Sequence, residues 1–444
     1  MAVSLRVYKE IFRIAWPVVV ADLIRVSFFT IDAIMIGQLG AAALAAVGLG
    51  GQILHMISIV SSALSIGVLA ICARRKGEGR VDEVYKTLVN AFILATVVSL
   101  PATIAIALFS REILSIFKVE ESVLVKGTVY LSISSLTIPL FFVMNIFDSS
   151  FRGVGDTLTP MMVSTISGGI KVALNYLLIF GKYGFPALGV IGLAISSIVA
   201  GVLGLIIYFA VVFSGRFEIK RVTLSKVLDL ALWRKIAMIG IPSMVENFFS
   251  QFARLLYTYM VTFFGTAVLA ANEIGIRIEA YSFMPGFAFS IASASLVGQN
   301  LGKRDISKAK KIFRESSLIA SSAMLLASIV FLVFPESLSR IFVSDPEVVN
   351  YAALYLRIMA FQQPFLGIYM VYAGGIRGSG DTKTPLYVSL ASTYSCRIGL
   401  GYLLGFVLGL GATGVWLGGL FDFIIRSFLI YLAYKKGNWY KIRI

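Results

Sequence analysis

The sequence predicts an all-α integral membrane protein, with twelve transmembrane helices in two parallel-repeat six-helix bundles around a central cleft. Three observations predict it. Hydrophobic residues make up 58% of the 444 residues and charged residues only 14%, against about 25% charged in an average soluble domain. The chain is a succession of apolar stretches near the ~20 residues needed to cross hydrocarbon. Its second half also repeats its first at one constant spacing. A mean hydropathy of +0.89, with 40 Gly and 33 Phe, excludes a disordered chain and a disulfide-stapled secreted domain. Cys72 and Cys396 are far apart, fit no metal-ligand spacing, and suit packing as small apolar residues.

Taken in order, the expected spans are 12–36, 47–72, 87–109, 123–148, 158–181 and 187–213, then 236–263, 268–298, 312–334, 351–375, 384–408 and 411–434. Gly, Pro and charge clusters punctuate them, as at Arg74-Arg75-Lys76-Gly77 and Gly302-Lys303-Arg304-Asp305. The longest connection, 214–235, holds Arg216, Lys220, Arg221, Lys226, Arg234 and Lys235. It divides the chain into an N-terminal lobe, 1–213, and a C-terminal lobe, 236–444.

The net charge of +16 lies mainly in these connections, as in membrane proteins facing a cytoplasm. No separate Arg/Lys-rich domain or aromatic-plus-basic RNA motif exists, so nucleic acid is not an expected partner. Of the 39 Lys and Arg residues, only Arg111, Lys118, Lys126, Lys182 and Arg340 fall in connections after odd-numbered spans. Most of the others flank the opposite ends, which predicts both termini on the cytoplasmic side. Residues 1–10 lack the short apolar core and small-residue site of a cleaved signal and read as a cytoplasmic lead-in.

A shift of 225 residues aligns Pro17 with Pro242, Gly40 with Gly265, Ile116-Phe117 with Ile341-Phe342, and Pro139 with Pro364. It also aligns Arg152-Gly-Val-Gly-Asp-Thr-Leu-Thr-Pro160 with Arg377-Gly-Ser-Gly-Asp-Thr-Lys-Thr-Pro385. Six spans per unit make the repeats parallel, and two such bundles can expose a shared cleft to either side by rocking.

These residues carry a family resemblance. Pro17, Asp32 and Gly37-Gln38-Leu39-Gly40, the paired Arg-Gly-x-Gly-Asp-Thr-x-Thr-Pro loops, Phe185-Pro186-Ala187-Leu188-Gly189-Val190 and Leu296-Val297-Gly298-Gln299-Asn300-Leu301-Gly302 resemble the multidrug and toxic compound extrusion (MATE) transporters over nearly the whole chain. The resemblance implies a cation-coupled antiporter exporting organic cations or amphipathic compounds, driven by protons or sodium ions. Wider relatives move lipid-linked sugars, so a flippase for a lipid-linked or other anionic amphipathic substrate is the alternative. No Walker A motif, metal cluster or nucleophile arrangement supports an enzyme. Beyond the coupling ion no cofactor is expected. The expected partners are a small-molecule substrate and membrane lipid, and the expected state is a monomer in the plasma membrane.

Charge within the spans selects the candidate site, because charged groups in hydrocarbon need partners or a purpose. The acids are Asp22, Asp32, Asp148, Glu246, Glu273, Glu279 and Asp422; the bases are Arg25, Lys171, Arg254, Arg277, Arg357, Arg397 and Arg426. Their equal numbers predict internal pairing, with Glu273–Arg277 and Asp422–Arg426 at helical i, i+4 spacing. Asp22, Arg25 and Asp32 share an arc of about 80° on the first helix, facing the bundle or a wet cavity.

Asp32 matches the family's first-helix coupling carboxylate, which can hold a proton at one stage and release it at another. One family branch adds an asparagine and, four residues later, a second acid on the fifth helix. Here Lys171 and Asn175 stand in those places. An ammonium beside Asp32 would occupy the place of a bound sodium ion, so Lys171 is expected to act as a built-in counter-cation; the alternative is a snorkelling or purely structural pair. Glu246 matches a coupling carboxylate of another branch; its alternative is an ion pair with Arg254 or across helices. Asn247, Gln251, Arg254 and Tyr257 continue a polar stripe on the seventh span and, with Asp22 and Arg25, are the expected substrate-cleft residues. Asp156 and Asp381 are expected to cap the fifth and eleventh helices.

Overall fold

Every regular element among the described residues is a helix. The computed structural model describes residues 2–214, 228–442 and 444. The first six crossings are α1 (Ala2–Gly37), α2 (Ala41–Gly77), α3 (Val81–Ser115), the pair α4 (Glu121–Ser134) and α5 (Thr137–Gly153), α6 (Leu158–Phe180) and α7 (Val190–Phe213). The second six begin with α8 (Leu230–Thr262), α9 (Thr266–Gly302) and α10 (Ile306–Val333), followed by the short α11 (Pro335–Arg340). They continue with the pair α12 (Pro346–Ala360) and α13 (Gln363–Gly378), then α14 (Lys383–Ser392) and α15 (Gly411–Lys436). Wide π-helical turns at Thr393–Leu400 and Leu403–Val407 extend α14. Each expected span thus falls on one helix or broken helix. Of the connection expected at 214–235, residues 215–227 lie outside the described residues.

Length and apolar content alone qualify seven of these helices as membrane-crossing, and α4 with α5, bent by 45°, makes an eighth. The other four crossings are interrupted by charge or by a break. α1 carries Asp22, Arg25 and Asp32, and α8 carries Glu246 and Arg254. The tenth crossing breaks between α12 and α13, and the eleventh loosens into π turns. Spans 123–148 and 351–375 were expected as continuous helices. Both break just before the repeat-related Pro139 and Pro364, whose rings cannot accept the preceding helical turn and which lack a backbone N–H.

The duplication is visible in the backbone itself. Gly40 (φ +100°) starts α2 and Gly265 (φ +102°) starts α9; Gly155 (φ +89°) and Gly380 (φ +98°) turn the chain into α6 and α14. Only glycine adopts such angles without steric cost.

Packing gathers the chain into two units: Val20–Gly240, and Met1–Val19 with Ile241–Ile444. We call them the N-lobe and C-lobe. Each therefore includes the beginning of the other repeat's first helix. Within the N-lobe, the start of α8 lies directly on α2. A Cβ on Gly67 would come 2.6 Å from the Ile236 carbonyl oxygen, and one on Gly240 2.4 Å from that of Ala63. Small residues allow this backbone approach. Within the C-lobe, the residues 225 positions away do the same work: Ile11 and Ala15 of α1 share one core with Ala288 and Ala292 of α9. Gly240→Ala is expected to destabilise the N-lobe by about 1–3 kcal/mol, since backbone rather than a movable side chain blocks the new methyl. Thermal unfolding of the purified protein checks this.

Candidate functional site: two charged clusters

In the N-lobe, α1 brings Asp32 against α6. Lys171 and Asn175, four residues apart, lie on one face of α6 and each serves one carboxylate oxygen. Lys171 Nζ donates to Asp32 Oδ2 at 2.5 Å, and Asn175 Nδ2 donates to Oδ1 at 2.6 Å. Asp32 is 8% exposed and Asn175 fully buried, while the Lys171 side chain keeps 24% of its exposure. The ammonium therefore sits where a metal cation would approach the carboxylate. The amide oxygen of Asn175 is buried without a hydrogen-bond partner, an acceptor left over after its nitrogen is committed.

The remaining charges on the α1 face form a separate pair. Arg25 Nη2 donates to Asp22 Oδ1 at 2.8 Å, with the carboxylate buried and the Arg25 side chain 73% exposed. Asp148 on α5 accepts from the Tyr208 hydroxyl on α7 and lies 4.0 Å from Arg152.

The C-lobe cluster centres on Glu246 of α8. Arg377 Nη2 lies 2.7 Å from both of its carboxylate oxygens, and the Tyr369 hydroxyl donates to Oε1 at 3.2 Å. Glu246 is buried. Its partner is thus Arg377, 131 positions away, which the sequence presented only as the first residue of a loop motif. Arg254 is exposed, Asn247 and Gln251 are partly exposed, and none of the three joins the Glu246 pair. Tyr257, fourth of that stripe, is buried in the C-lobe core.

Asp422, wholly buried on α15, receives Arg426 of its own helix at 2.7 Å and Arg397 from the π turns at 3.0 Å, with Ser392 Oγ donating at 2.7 Å. The Asp422–Arg426 pairing follows the expected i, i+4 spacing, whereas Glu273 and Arg277 are both exposed and form no ion pair. Rings of Tyr369 and Phe423 lie 5.0 and 4.8 Å from the Arg426 guanidinium. Glu279 on α9 accepts from Tyr355 at 3.1 Å and from Gln362. In these clusters buried charge is thereby matched with opposite charge, hydroxyl, amide or ring, as the high cost of an unpaired buried ion demands.

The Asp32 site has a counterpart in the C-lobe, at Tyr257 and Arg397. Shifting Asp32 by 225 gives Tyr257, and Arg397 lies over that ring at 5.9 Å, as Lys171 lies on Asp32. Lys171 and Arg397 are 226 apart, one more than the repeat distance, and a π turn takes up just such an extra residue. Both lobes hold a resident cation on the same helix face. Only the N-lobe offers it a first-helix carboxylate. The loop aspartates also correspond: Asp156 accepts from Thr159 N at 3.0 Å and Oγ1 at 2.6 Å, and Asp381 accepts from Thr384 N and Oγ1 at the same two distances. These carboxylates cap α6 and α14.

Fold and site together define a membrane transporter built from two six-helix repeats. The profile of the MatE family matches residues 17–177 and again 242–403, starting at the paired prolines each time. The probable multidrug resistance protein NorM of Thermotoga maritima is 30% identical over 437 residues, covering 98% of this chain and 93% of that one. The crystal structure of an aspartate-to-asparagine variant of the Vibrio cholerae MATE transporter VcmN matches with a TM-score of 0.91 at 23% identity, covering 100% of both chains. A MOP-superfamily transporter from Pyrococcus furiosus matches at 0.89 and 19%, covering 98% of this chain and 97% of that one. The chain belongs to the MatE family, the multidrug and toxic compound extrusion transporters.

Proposed function

We propose that this protein is a cation-coupled antiporter of the plasma membrane, both termini cytoplasmic, that exports organic cations or amphipathic compounds by alternating access of its two lobes. The observation that carries the reading is the closed Asp32–Lys171–Asn175 cluster. A resident ammonium makes the carboxylate a poor sodium ligand and leaves the proton as the coupling ion.

Coupling then follows from charge. With Asp32 ionised the cluster is neutral overall. A proton arriving on Asp32 turns it into a lone ammonium in a poorly solvated site, which disfavours a cationic substrate in the same lobe. Loss of the proton restores the neutral pair and readmits the substrate. Proton and substrate thus favour different states of the lobe, as antiport requires. Glu246 is the weaker candidate for this role, since a guanidinium is permanently charged and binds carboxylates in a fixed geometry. The expected substrate-contacting groups are Asp22, Arg25, Asn247, Gln251 and Arg254.

The exposed guanidinium of Arg25 and the exposed Arg254 favour a second reading, a flippase for an anionic amphipathic substrate, because arginine suits phosphate. Accumulation of a cationic dye in cells with and without the protein separates the two. Export predicts less dye in the cells that carry it; equal dye supports the flippase.

A further inference from the structure

The C-lobe carries a groove of about 570 Å³ between α10, α13 and α15, remote in sequence from both Asp32 and Glu246. Its walls are apolar, formed by Phe365, Ile368 and Tyr372 of α13 and Ile425, Phe428 and Tyr431 of α15, with Ser317 of α10 at one side. The Tyr372 and Tyr431 rings, both lining the groove, meet edge-on at 5.6 Å. Phe428 on the lip is exposed.

Two cations stand near these two tyrosines. Lys435, one turn beyond Tyr431 on α15, lies 5.0 Å from its ring centroid. Arg314, one turn before Ser317 on α10, falls on the groove side of its helix by the i, i+3 rule. Both are exposed, and neither forms an ion pair with a carboxylate among the described residues. From Ile424 to Lys435 the groove and its basic end run about 16 Å along α15, close to the ~15 Å of one hydrocarbon leaflet.

We propose that this groove is a binding site for an anionic phospholipid of the leaflet in which α15 ends. One acyl chain lies along Phe365, Ile425 and Phe428, and the phosphate group meets Arg314 and Lys435. Apolar walls alone would take any lipid; the two unpaired cations at headgroup depth select a negative one, as basic pockets between membrane helices do. The rim aromatics place amphipathic rings at the interface level where they are favoured.

The test is lipid retention by the purified full-length protein in detergent, offered equal phosphatidylglycerol and phosphatidylcholine and read by native mass spectrometry. The wild-type chain should retain phosphatidylglycerol preferentially. Arg314→Gln and Lys435→Gln should each lower that preference about fivefold, and Lys435→Arg should preserve it. Both positions are exposed, so unchanged unfolding temperatures in phosphatidylcholine alone will show that the variants fold. Lys303→Gln, a loop cation outside the groove, should leave the ratio unchanged. Equal retention of the two lipids by the wild type would overturn the proposal. So would an undiminished preference in the Arg314→Gln/Lys435→Gln variant, or an equal loss in Lys303→Gln.

Discussion

Exchanging the two α6 groups, Lys171→Asn with Asn175→Asp, is expected to make transport sodium-dependent. The exchange removes the ammonium that sits 2.5 Å from Asp32 Oδ2 and puts a second carboxylate where Asn175 now donates at 2.6 Å. Two carboxylates and an amide oxygen then face one buried point with no internal cation. Hard oxygen donors of this kind suit a small hard cation, and like charges so close cannot both stay ionised without a proton or a metal ion between them. The single variant Lys171→Asn should already lose about 3–5 kcal/mol of stability, the usual result of stripping one partner from a buried pair. Part of that loss should return when sodium is added. Thermal unfolding in sodium against a bulky organic cation reads the first effect, and dye transport against sodium concentration reads the second. Sodium dependence unchanged from wild type in both variants would count against Lys171 as the resident counter-cation.

The second large effect is expected at Glu246. Arg377→Gln leaves a buried carboxylate with only the Tyr369 hydroxyl, at 3.2 Å, and should destabilise the protein by about 3–5 kcal/mol. Glu246→Gln should cost a similar amount, because it strands the Arg377 guanidinium. The Glu246→Gln/Arg377→Gln variant, with two amides in place of two charges, should recover most of the stability. A coupling energy of a few kcal/mol from this double-mutant cycle identifies the pair as one unit. If Glu246 serves as a fixed ion pair, the double variant also keeps proton-driven transport. Stability recovered with transport lost would instead make Glu246 a coupling carboxylate and shift the mechanism to the C-lobe.

The sequence made legible whatever depends on local period or on the repeat. Twelve apolar spans, the paired capping aspartates and the matched glycines Gly40 and Gly265 all follow from runs, spacing and the 225-residue shift. The Lys171–Asp32 contact was also legible, through the unusual lysine at a position where the resemblance called for asparagine. What stayed hidden depends on the rotation and depth of helices far apart in the chain. Arg377 reaches Glu246 only because α13 and α8 share one lobe, and no spacing rule connects residues 131 apart. Arg397 lies one residue out of the 225-residue register with Lys171, and only the π turns take up the difference. The exchange of helix starts between lobes was hidden too, since Ala15, Ile236 and Gly240 read as ordinary span residues and Ile11 fell just before the first span. Only packing on Ala288, Ala292, Ala63 and Gly67 reveals their partners.

The proposed coupling exchanges a proton, not a sodium ion, at a carboxylate already held by lysine. Purified protein in sealed vesicles, given either a pH gradient or a sodium gradient with the other ion balanced, tests this with a single fluorescent cation. Movement of the dye under the pH gradient alone, abolished by Asp32→Asn, is the predicted result. Movement driven by the sodium gradient with Lys171 intact would contradict it.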